Sequence, residues 1–183
     1  MEKHQKKTLI IIGGGFAGLN IANTLTSSKH YNTIVVDAKR YFEYVPDYPS
    51  YITDPSLSKK IHIDLRSHFG DRFLHGVASD VSRTHITLKI FDCEEVMVSL
   101  SELKINIDIS ENEEGARLAR IPYDALVFCH GAAYDSPIRP KIGTDLSIEA
   151  RNENSEILKN EINGPEKKLL VVGGGYVSLE IAC

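Results

Sequence analysis

Long apolar runs, paired cysteines and a basic excess are all missing from this chain, and each absence removes a class of protein. No stretch approaches the roughly 18 consecutive apolar residues that a membrane-spanning helix needs. The three cysteines, Cys93, Cys129 and Cys183, are odd in number and form no C-x-x-C pair, which indicates free thiols in a reducing compartment. A formal net charge of -4, with scattered lysine pairs, provides no electrostatic footprint for nucleic acid.

Metal-ligand spacing and a targeting segment are also missing. His62, His68, His75 and His85 have no i, i+4 pairing and no neighbouring cysteine ligand, so we expect no metal site. The first apolar run starts by Leu9, which leaves no room for the apolar stretch of a signal peptide. We therefore expect an intracellular protein, cytoplasmic or mitochondrial, without a recognisable targeting segment.

Two glycine-rich turns, each directly after a short apolar run, are the most informative features that are present. The first is Gly13-Gly14-Gly15-Phe16-Ala17-Gly18 after Leu9–Ile12, and the second is Gly173-Gly174-Gly175-Tyr176-Val177-Ser178 after Leu169–Val172. A single G-x-G-x-x-G is a weak signal, but two placed between strand and helix indicate two dinucleotides on one chain. Such a chain would move a hydride between them.

The first turn has a physical reason at each glycine. Gly13 allows a sharp turn out of the strand, Gly15 allows backbone amides to approach a diphosphate, and Gly18 allows the helix to pack near the strand. Asp37 follows 19 residues after Gly18, where a carboxylate can accept hydrogen bonds from a ribose diol. The alternative is a tight strand-to-helix turn without a ligand.

The second turn has weaker support. Ser178 replaces the third glycine and adds a side chain where none is preferred. Glu180 stands near a helix start, where the helix dipole alone would favour a carboxylate. The second strand and its ribose-binding acid are absent from the sequence, so nucleotide binding by this piece alone stays open.

The remaining pattern predicts an α/β fold. Continuous apolar runs at 9–12, 34–36 and 125–129 predict parallel strands covered on both faces, with a crossover helix between Gly18 and Ser28. From Ile86 a period of two predicts an antiparallel β-meander through Val96, Val98 and Leu100 to Leu103–Ile109, turning at Ser101-Glu102, with an exposed acidic loop at 111–114. A polar helix is expected from Ile148 to about Ile162. We predict one domain over residues 1–140, and a linker helix with the incomplete start of a second dinucleotide-binding domain over 141–183.

Several segments together resemble a known family. They are the two glycine turns, Asp37, Tyr123–Ala132, Arg40–Pro46, Asp54-Pro55 and Lys59–Ile61. The chain resembles the flavoproteins with two dinucleotide-binding domains in the pyridine nucleotide-disulfide oxidoreductase superfamily. It is most similar to type II NADH dehydrogenases and the related ferroptosis-suppressor and apoptosis-inducing-factor-like reductases. The resemblance implies a Rossmann-like FAD/NAD(P)-binding domain with a parallel sheet and a meander, followed by the first β-α unit of a second such domain.

The resemblance also implies cofactors and site residues. FAD would bind the first turn and NAD(P)H the second, with a hydride passing to the flavin and electrons leaving to a quinone or another small acceptor. Ala38 and Lys39 would accompany Asp37 at the adenosine, Val77 or Ala78 would meet the adenine, and Pro46 would lie near the flavin ring. The expected cofactor-binding residues are Gly13, Gly14, Gly15, Phe16, Ala17, Gly18, Asp37, Ala38, Lys39, Pro46, Val77, Ala78, His130, Gly131, Ala132, Gly173, Gly175 and Glu180.

Departures from the family pattern leave alternatives open. His130 stands where the family has threonine, and a packing or surface histidine is the simpler interpretation. The stretch 41–51 has no cysteine pair, which sets the disulfide reductases aside. Because the family's final flavin-domain strands are missing, we expect the N-terminal half of an FAD-dependent NAD(P)H oxidoreductase. A non-catalytic nucleotide-binding or partner-binding remnant and a single-site NAD-dependent dehydrogenase are the alternatives; no catalytic residue is assigned and self-association is left open.

Overall fold

The computed structural model describes residues 6–132, 145–164 and 168–182, and Cys183 lies outside them. The chain divides into two compact units. The first unit is Met1–Tyr41 with Asp64–Ala132, and the second is Phe42–Ile63 with Ala133–Cys183. The second unit therefore takes part of its chain from between two segments of the first. The predicted domain division at residues 140 and 141 stays a prediction.

The helices and strands alternate along much of the chain. In chain order, the elements of the described residues are β1 (Lys7–Ile12), α1 (Phe16–Leu25), β2 (Tyr31–Asp37), β3 (Tyr41–Glu43), α2 (Tyr48–Thr53), α3 (Ser58–Ile61), β4 (His62–Asp64), α4 (Leu65–Phe69), β5 (Phe73–Val81), β6 (His85–Ile90), α5 (Cys93–Glu102), β7 (Asp108–Glu111), β8 (Arg117–Pro122), β9 (Ala125–Phe128), α6 (Ile148–Ile162) and α7 (Tyr176–Ala182). Short 3-10 helices occupy Val45–Asp47, Pro55–Leu57 and Gly70–Arg72.

A seven-stranded sheet with the order β7-β8-β6-β5-β2-β1-β9 is the framework of the first unit. β1 pairs in parallel with β2 and with β9, and β2 pairs in parallel with β5. Ile10, Ile11, Ile34 and Val35 are fully buried, which explains why the central strands read as continuous apolar runs. The predicted parallel strands are confirmed, and α1 buries Gly18 and Ala22 as its apolar face predicted. The expected cover on both faces is wrong for β9, because it is a half-buried edge strand in which Phe128 is 58% exposed.

The antiparallel half of the sheet is present, but two of the predicted strand segments are wrong. β5, β6, β8 and β7 pair antiparallel in that order. The predicted strand over Val96–Leu100 is instead the helix α5, so the predicted turn at Ser101-Glu102 lies at its C-terminal end. Residues 103–107 form no strand, although the predicted Leu103, Ile105 and Ile107 do pack against the core. The strand β8 was not predicted; it buries Ala119 and Ile121.

The helix α5 has a local cause that the alternating apolar pattern of its sequence does not reveal. The Asp92 side chain accepts a hydrogen bond from the Glu95 amide at 2.9 Å, which caps the N-terminus. Val96, Ser99 and Leu100 are buried at helical spacing, while Met97 and Val98 are 52% and 56% exposed. The buried contact surface therefore follows a helical period rather than an alternating one.

The second unit is stabilised by a small cluster of buried aromatic and apolar side chains and by a buried ion pair. Tyr48, Tyr51, Ile52 and Ile61 are buried, and Leu158 and Ile162 of α6 pack against them. The Arg151 Nε donates to Glu43 Oε1 at 2.8 Å, and the two side chains are only 3% and 0% exposed. The predicted helix at Ile148–Ile162 is confirmed as α6, and its Ser147 cap accepts from the Ala150 amide.

The predicted strand at Leu169–Val172 does not form. These residues have no strand assignment, and Leu170 and Val172 are 84% and 86% exposed. A strand needs a hydrogen-bonded neighbour, and no described strand pairs with this segment. Only the helical half of the second predicted β-α unit is therefore present, as α7. Among the described residues, no helix combines the length and the apolarity that a membrane crossing requires.

Candidate dinucleotide-binding site

The first glycine turn connects β1 to α1 and is fixed by main-chain contacts on both sides. The Gly13 amide donates to the Val36 carbonyl at 2.7 Å, and the Cys129 amide donates to the Ile12 carbonyl at 2.6 Å. Gly13 has φ +106°, and a Cβ there would lie 2.4 Å from the Cys129 carbonyl oxygen. Both the backbone conformation and the neighbouring strand end therefore require glycine at this position.

Two further glycines of the turn are explained by packing. A Cβ on Gly18 would lie 1.8 Å from the Gly13 carbonyl oxygen, so α1 reaches the turn only because this position has no side chain. A Cβ on Gly14 would lie 2.7 Å from Leu65 Cδ1, where the buried Leu65 of α4 packs over the turn. The roles expected of Gly13 and Gly18 in shaping the turn agree with these contacts.

Gly15 differs from the neighbouring glycines because neither its backbone angles nor its surroundings require a residue without a side chain. No atom lies within 4 Å of a Cβ built on it, and its φ of -78° and ψ of -166° suit any residue. It caps the N-terminus of α1, and the side chains of Phe16 and Ala17 that follow are exposed. The first amides of a helix have no carbonyl partner within the helix and carry its positive dipole end. The surface at Gly15 can therefore accept an anion at close range.

Asp37 lies at the end of β2 and contacts the glycine turn directly. Its Oδ2 accepts from the Gly14 amide at 2.6 Å, and its Oδ1 accepts from the Lys39 amide at 2.8 Å. An ionised carboxylate has about four acceptor positions, so two remain for other donors. The structure thus brings the two sequence-predicted features, the turn and the acid, into direct contact.

The loop that follows Asp37 is contacted by a residue of β5. The His75 Nε2 lies 3.0 Å from the Ala38 carbonyl oxygen, and the Lys39 Nζ lies 4.9 Å from the centre of the Tyr41 ring. Burial lowers the pKa of His75. The sequence predicts no metal role for His75 and gives Leu65 no role at all. No local motif marks either residue, since their contacts come from segments distant in sequence.

The expected site residues at the end of β9 lie beside the same turn. A Cβ on Gly13 would meet the His130 amide nitrogen at 2.7 Å, so the 129–130 main chain passes against it. His130, Gly131 and Ala132 are exposed, and Gly131 has φ +70°.

Val77 and Ala78 lie farther along the sheet of the first unit. They are half-buried on β5 and pair with Lys89 and Leu88 of β6. The parallel pairing of β2 with β5 ends at Asp37 and His75, so both residues lie beyond it.

Other expected site residues belong to the second unit. Pro46 lies exposed in the 3-10 helix Val45–Asp47. In the second glycine turn, Gly173 has φ +108° and the Leu179 amide donates to the Gly175 carbonyl at 3.2 Å. A hydrogen bond to Glu180 raises the pKa of Tyr176. Glu180 thus has a local partner within α7.

Cysteine and metal chemistry have little support in this site. Cys93 and Cys129 are free, and burial raises the pKa of Cys129, which disfavours the reactive thiolate. Across residues 6–132, 145–164 and 168–182, no group of three metal-ligating side chains occurs.

Comparison with known proteins identifies the class. The family model for the pyridine nucleotide-disulphide oxidoreductases matches residues 7–183. The chain therefore belongs to this family, as the resemblance predicted. Its two glycine turns lie within the matched range.

Particular relatives give finer comparisons. The chain is 25% identical over 182 residues to apoptosis-inducing factor homolog B of Dictyostelium discoideum, covering 97% of this chain and 38% of that protein. It is 28% identical over 192 residues to the mitochondrial external alternative NADH-ubiquinone oxidoreductase of Yarrowia lipolytica, covering 97% and 31% respectively. The chain spans about a third of the length of these curated relatives.

A solved structure supports the fold. Reduced CoADR-RHD of Bacillus anthracis superposes with a TM-score of 0.61 at 16% identity, covering 99% of this chain and 31% of that one. The α/β fold predicted from the sequence, with its parallel sheet and antiparallel strands, is confirmed.

Proposed function

We propose that the first glycine turn binds the diphosphate of FAD, and that this chain contributes the flavin-binding part of an NAD(P)H oxidoreductase. Gly15, Phe16 and Ala17 supply amides at the diphosphate, and Asp37, Ala38 and Lys39 flank the adenosine. In this proposal Val77 and Ala78 would contact the adenine, and His130, Gly131 and Ala132, which follow β9, would lie on the other side of the turn. The family membership supports this class of reaction, because the relatives include NADH-ubiquinone oxidoreductases.

The observation that carries the proposal is the unexplained glycine at position 15. Gly13 and Gly18 are required by φ or by backbone contacts, and a side chain on Gly14 would have to displace the end of the Leu65 side chain. At Gly15 neither reason applies, since its dihedral angles are ordinary and the space beside it is empty. A diphosphate approaching the N-terminal amides of α1 would occupy that space, which is the role that the motif assigns to its second glycine.

The charge distribution around the turn supports a dinucleotide rather than a simple anion. The helix N-terminus favours the diphosphate, while the two open acceptor positions of Asp37 suit sugar hydroxyls. The carboxylate lies one hydrogen bond from Gly14, so both functions occur at a spacing that one nucleotide can bridge. An acid here disfavours a 2′-phosphate on that ribose.

The reaction would use both glycine turns. FAD, when bound, would supply the hydride acceptor for a nicotinamide. Gly15, Phe16 and Ala17 would hold its diphosphate, and Asp37 would orient its ribose. Gly173, Gly175 and Glu180 form the NAD(P)H side of this proposal, with Pro46 toward the flavin ring. A quinone is the proposed electron acceptor.

A non-catalytic nucleotide-binding protein is the second candidate, and one observation favours it. The segment before the second turn is exposed and unpaired, so in the described residues that turn has no sheet beneath it. NADH oxidation with an artificial acceptor by the FAD-loaded chain would exclude this alternative.

The substitution Gly15→Asp tests the proposal without disturbing the core. Aspartate is a preferred helix cap and has room here, so the stability should hold or rise slightly, because a better cap than glycine contributes only about a few tenths of a kcal/mol. Its carboxylate would repel a diphosphate, and FAD affinity should fall roughly a hundredfold, because like charges brought together cost several kcal/mol.

Flavin fluorescence titration of the purified chain measures the affinity, with Gly15→Ala as the uncharged companion and Gly175→Asp as the matched control in the second turn. The control should keep FAD affinity within about twofold, well below the factor of ten that 1.4 kcal/mol represents. FAD binding that survives Gly15→Asp, or no FAD binding by the unsubstituted chain, contradicts the proposal.

A further inference from the structure

His75 connects β5 to the loop that follows Asp37. In the parallel register of β2 and β5, His75 lies opposite Asp37. Its Nε2 lies 3.0 Å from the carbonyl oxygen of Ala38, the residue next to Asp37. A carbonyl oxygen only accepts hydrogen bonds, so Nε2 must carry the hydrogen in this contact.

The imidazole is held in place by aromatic neighbours. The Phe91 ring centre lies 4.6 Å from that of His75, and the Phe73 ring is stacked at 6.5 Å with an interplanar angle of 21°. The Phe91 amide also donates to the His75 carbonyl at 3.3 Å. The ring therefore has a defined orientation toward the Ala38 carbonyl.

A short chain of hydrogen bonds runs from His75 to the glycine turn. His75 donates to the Ala38 carbonyl, the Lys39 amide donates to Asp37 Oδ1, and the Gly14 amide donates to Asp37 Oδ2. The peptide planes of residues 37–39 are thus fixed by His75 of β5 on one side and by the Asp37 carboxylate on the other. Loss of the His75 contact would free the Ala38 peptide to rotate and would loosen the direction of the carboxylate.

We propose that His75 is a positioning residue for the adenosine half of the bound dinucleotide, acting through the Ala38 carbonyl to hold the loop of Asp37 in its binding orientation. This inference rests on the proposed function, because it concerns the same site. His75 itself need not touch the ligand. Its burial keeps the ring neutral near pH 7, with the single hydrogen on Nε2.

ADP is the probe, since it contains the adenosine and diphosphate but no flavin. His75→Phe keeps an aromatic ring between Phe73 and Phe91 and removes the donor. Its ADP affinity, measured by calorimetry on the full 183-residue chain, should fall about five- to tenfold, the size of one lost hydrogen bond.

The conservative variant separates positioning from simple packing. His75→Gln places an amide donor near the former Nε2, and its ADP affinity should recover to within about twofold, much less than one hydrogen bond's contribution. His85→Phe is the matched control, because His85 lies on β6 with its Nδ1 at 2.7 Å from Thr84 Oγ1. Should His75→Phe fail to fold, His75→Asn, whose shorter side chain stops short of Ala38, serves as the donor-deficient variant.

Two different failures are distinguishable. ADP binding that is equal in the unsubstituted chain and in His75→Phe, or that is lost equally in the Phe and Gln variants, overturns the role of His75 alone. No ADP binding by the unsubstituted chain, or binding insensitive to Gly15→Asp, overturns the proposed function and this inference with it.

Discussion

The two glycine turns have nearly the same local backbone and very different surroundings. Gly13 and Gly173 have φ values of +106° and +108°, and each turn leads into a helix whose first bond returns to Gly15 or Gly175. A Cβ on Gly13 would meet the Cys129 main chain at 2.4 Å, whereas on Gly173 the nearest contact is Ser178 Oγ at 3.7 Å. The shared Gly-Gly-Gly segment thus forms a similar bend in both turns, although within the described part of the chain only the first turn has a sheet beneath it.

The difference shows that the glycine pattern determines the bend, while neighbouring strands determine the site. Ile10 and Ile11 before the first turn are fully buried between β2 and β9. Leu170 and Val172 before the second are more than four-fifths exposed. In the first turn a neighbouring strand also supplies the acid, Asp37, whose Oδ2 accepts a hydrogen bond from the Gly14 amide. A dinucleotide site needs this tertiary part as well as the motif.

The largest effect should come from adding one methyl group to each turn. Gly13→Ala combines left-handed strain of about 1–3 kcal/mol with a clash against backbone, for a total of about 4 kcal/mol. Gly173→Ala has the strain alone in an exposed segment, so about 1 kcal/mol is expected. Urea unfolding of both variants measures the contrast; equal losses of stability would mean that the second turn is as firmly packed as the first.

The stability of the second unit should depend on its buried ion pair instead of its glycine turn. Arg151→Met keeps an apolar side chain over the Tyr48 ring, which lies 4.0 Å from the guanidinium, but leaves the Glu43 carboxylate buried. We expect a loss of about 3 kcal/mol in the free energy of unfolding. Adding Glu43→Gln should restore much of it, and a double-mutant cycle from thermal unfolding checks this; strictly additive losses would argue against the pair.

A smaller effect should follow from removing the acid of the first turn. Asp37→Ala leaves the buried Gly14 amide without its acceptor, at a cost of about 2 kcal/mol. Asp37→Asn keeps one acceptor oxygen and should lose less stability, while FAD affinity falls in both. Chemical denaturation and FAD titration of the two variants test this. A stability unchanged by Asp37→Ala would show that Gly14 finds another acceptor.

The smallest effect should be a pH dependence confined to the first unit. Burial lowers the pKa of His75 and Arg40 lowers it further, while the hydrogen bond to the Ala38 carbonyl, Glu95 and Asp37 oppose the shift. In the unfolded chain His75 takes up a proton near pH 6.5, whereas in the folded chain it does so only at lower pH. The stabilisation from neutral, buried His75 is therefore fully present above about pH 6.5 and is lost as the pH falls. Urea midpoints of the unsubstituted chain and His75→Phe should therefore converge between pH 7.5 and 5.5, and parallel curves would contradict the assignment.

The errors of sequence interpretation have specific causes. The run Val96–Leu100 fits a period of two, but the Asp92 cap and the burial of Ser99 against Arg66 favour a helix. The capping pattern Asp92-x-x-Glu95 was visible in the sequence and would have predicted it. The strand β8 was missed because its arginines interrupt the apolar pattern, although Ala119 and Ile121 are buried on either side of the exposed Arg120.

The sequence by itself determined the local parts of this protein: both glycine bends, the central buried strands, the helix α6, and the family. These depend on backbone sterics and apolar periodicity over a few neighbouring residues. The tertiary structure alone decided that Asp37 holds Gly14, that Leu65 covers the turn and that His75 holds the Ala38 carbonyl. It also left Leu169–Val172 without a partner strand among the described residues. Such contacts join residues far apart in the chain, and only the packing of the sheet brings them together.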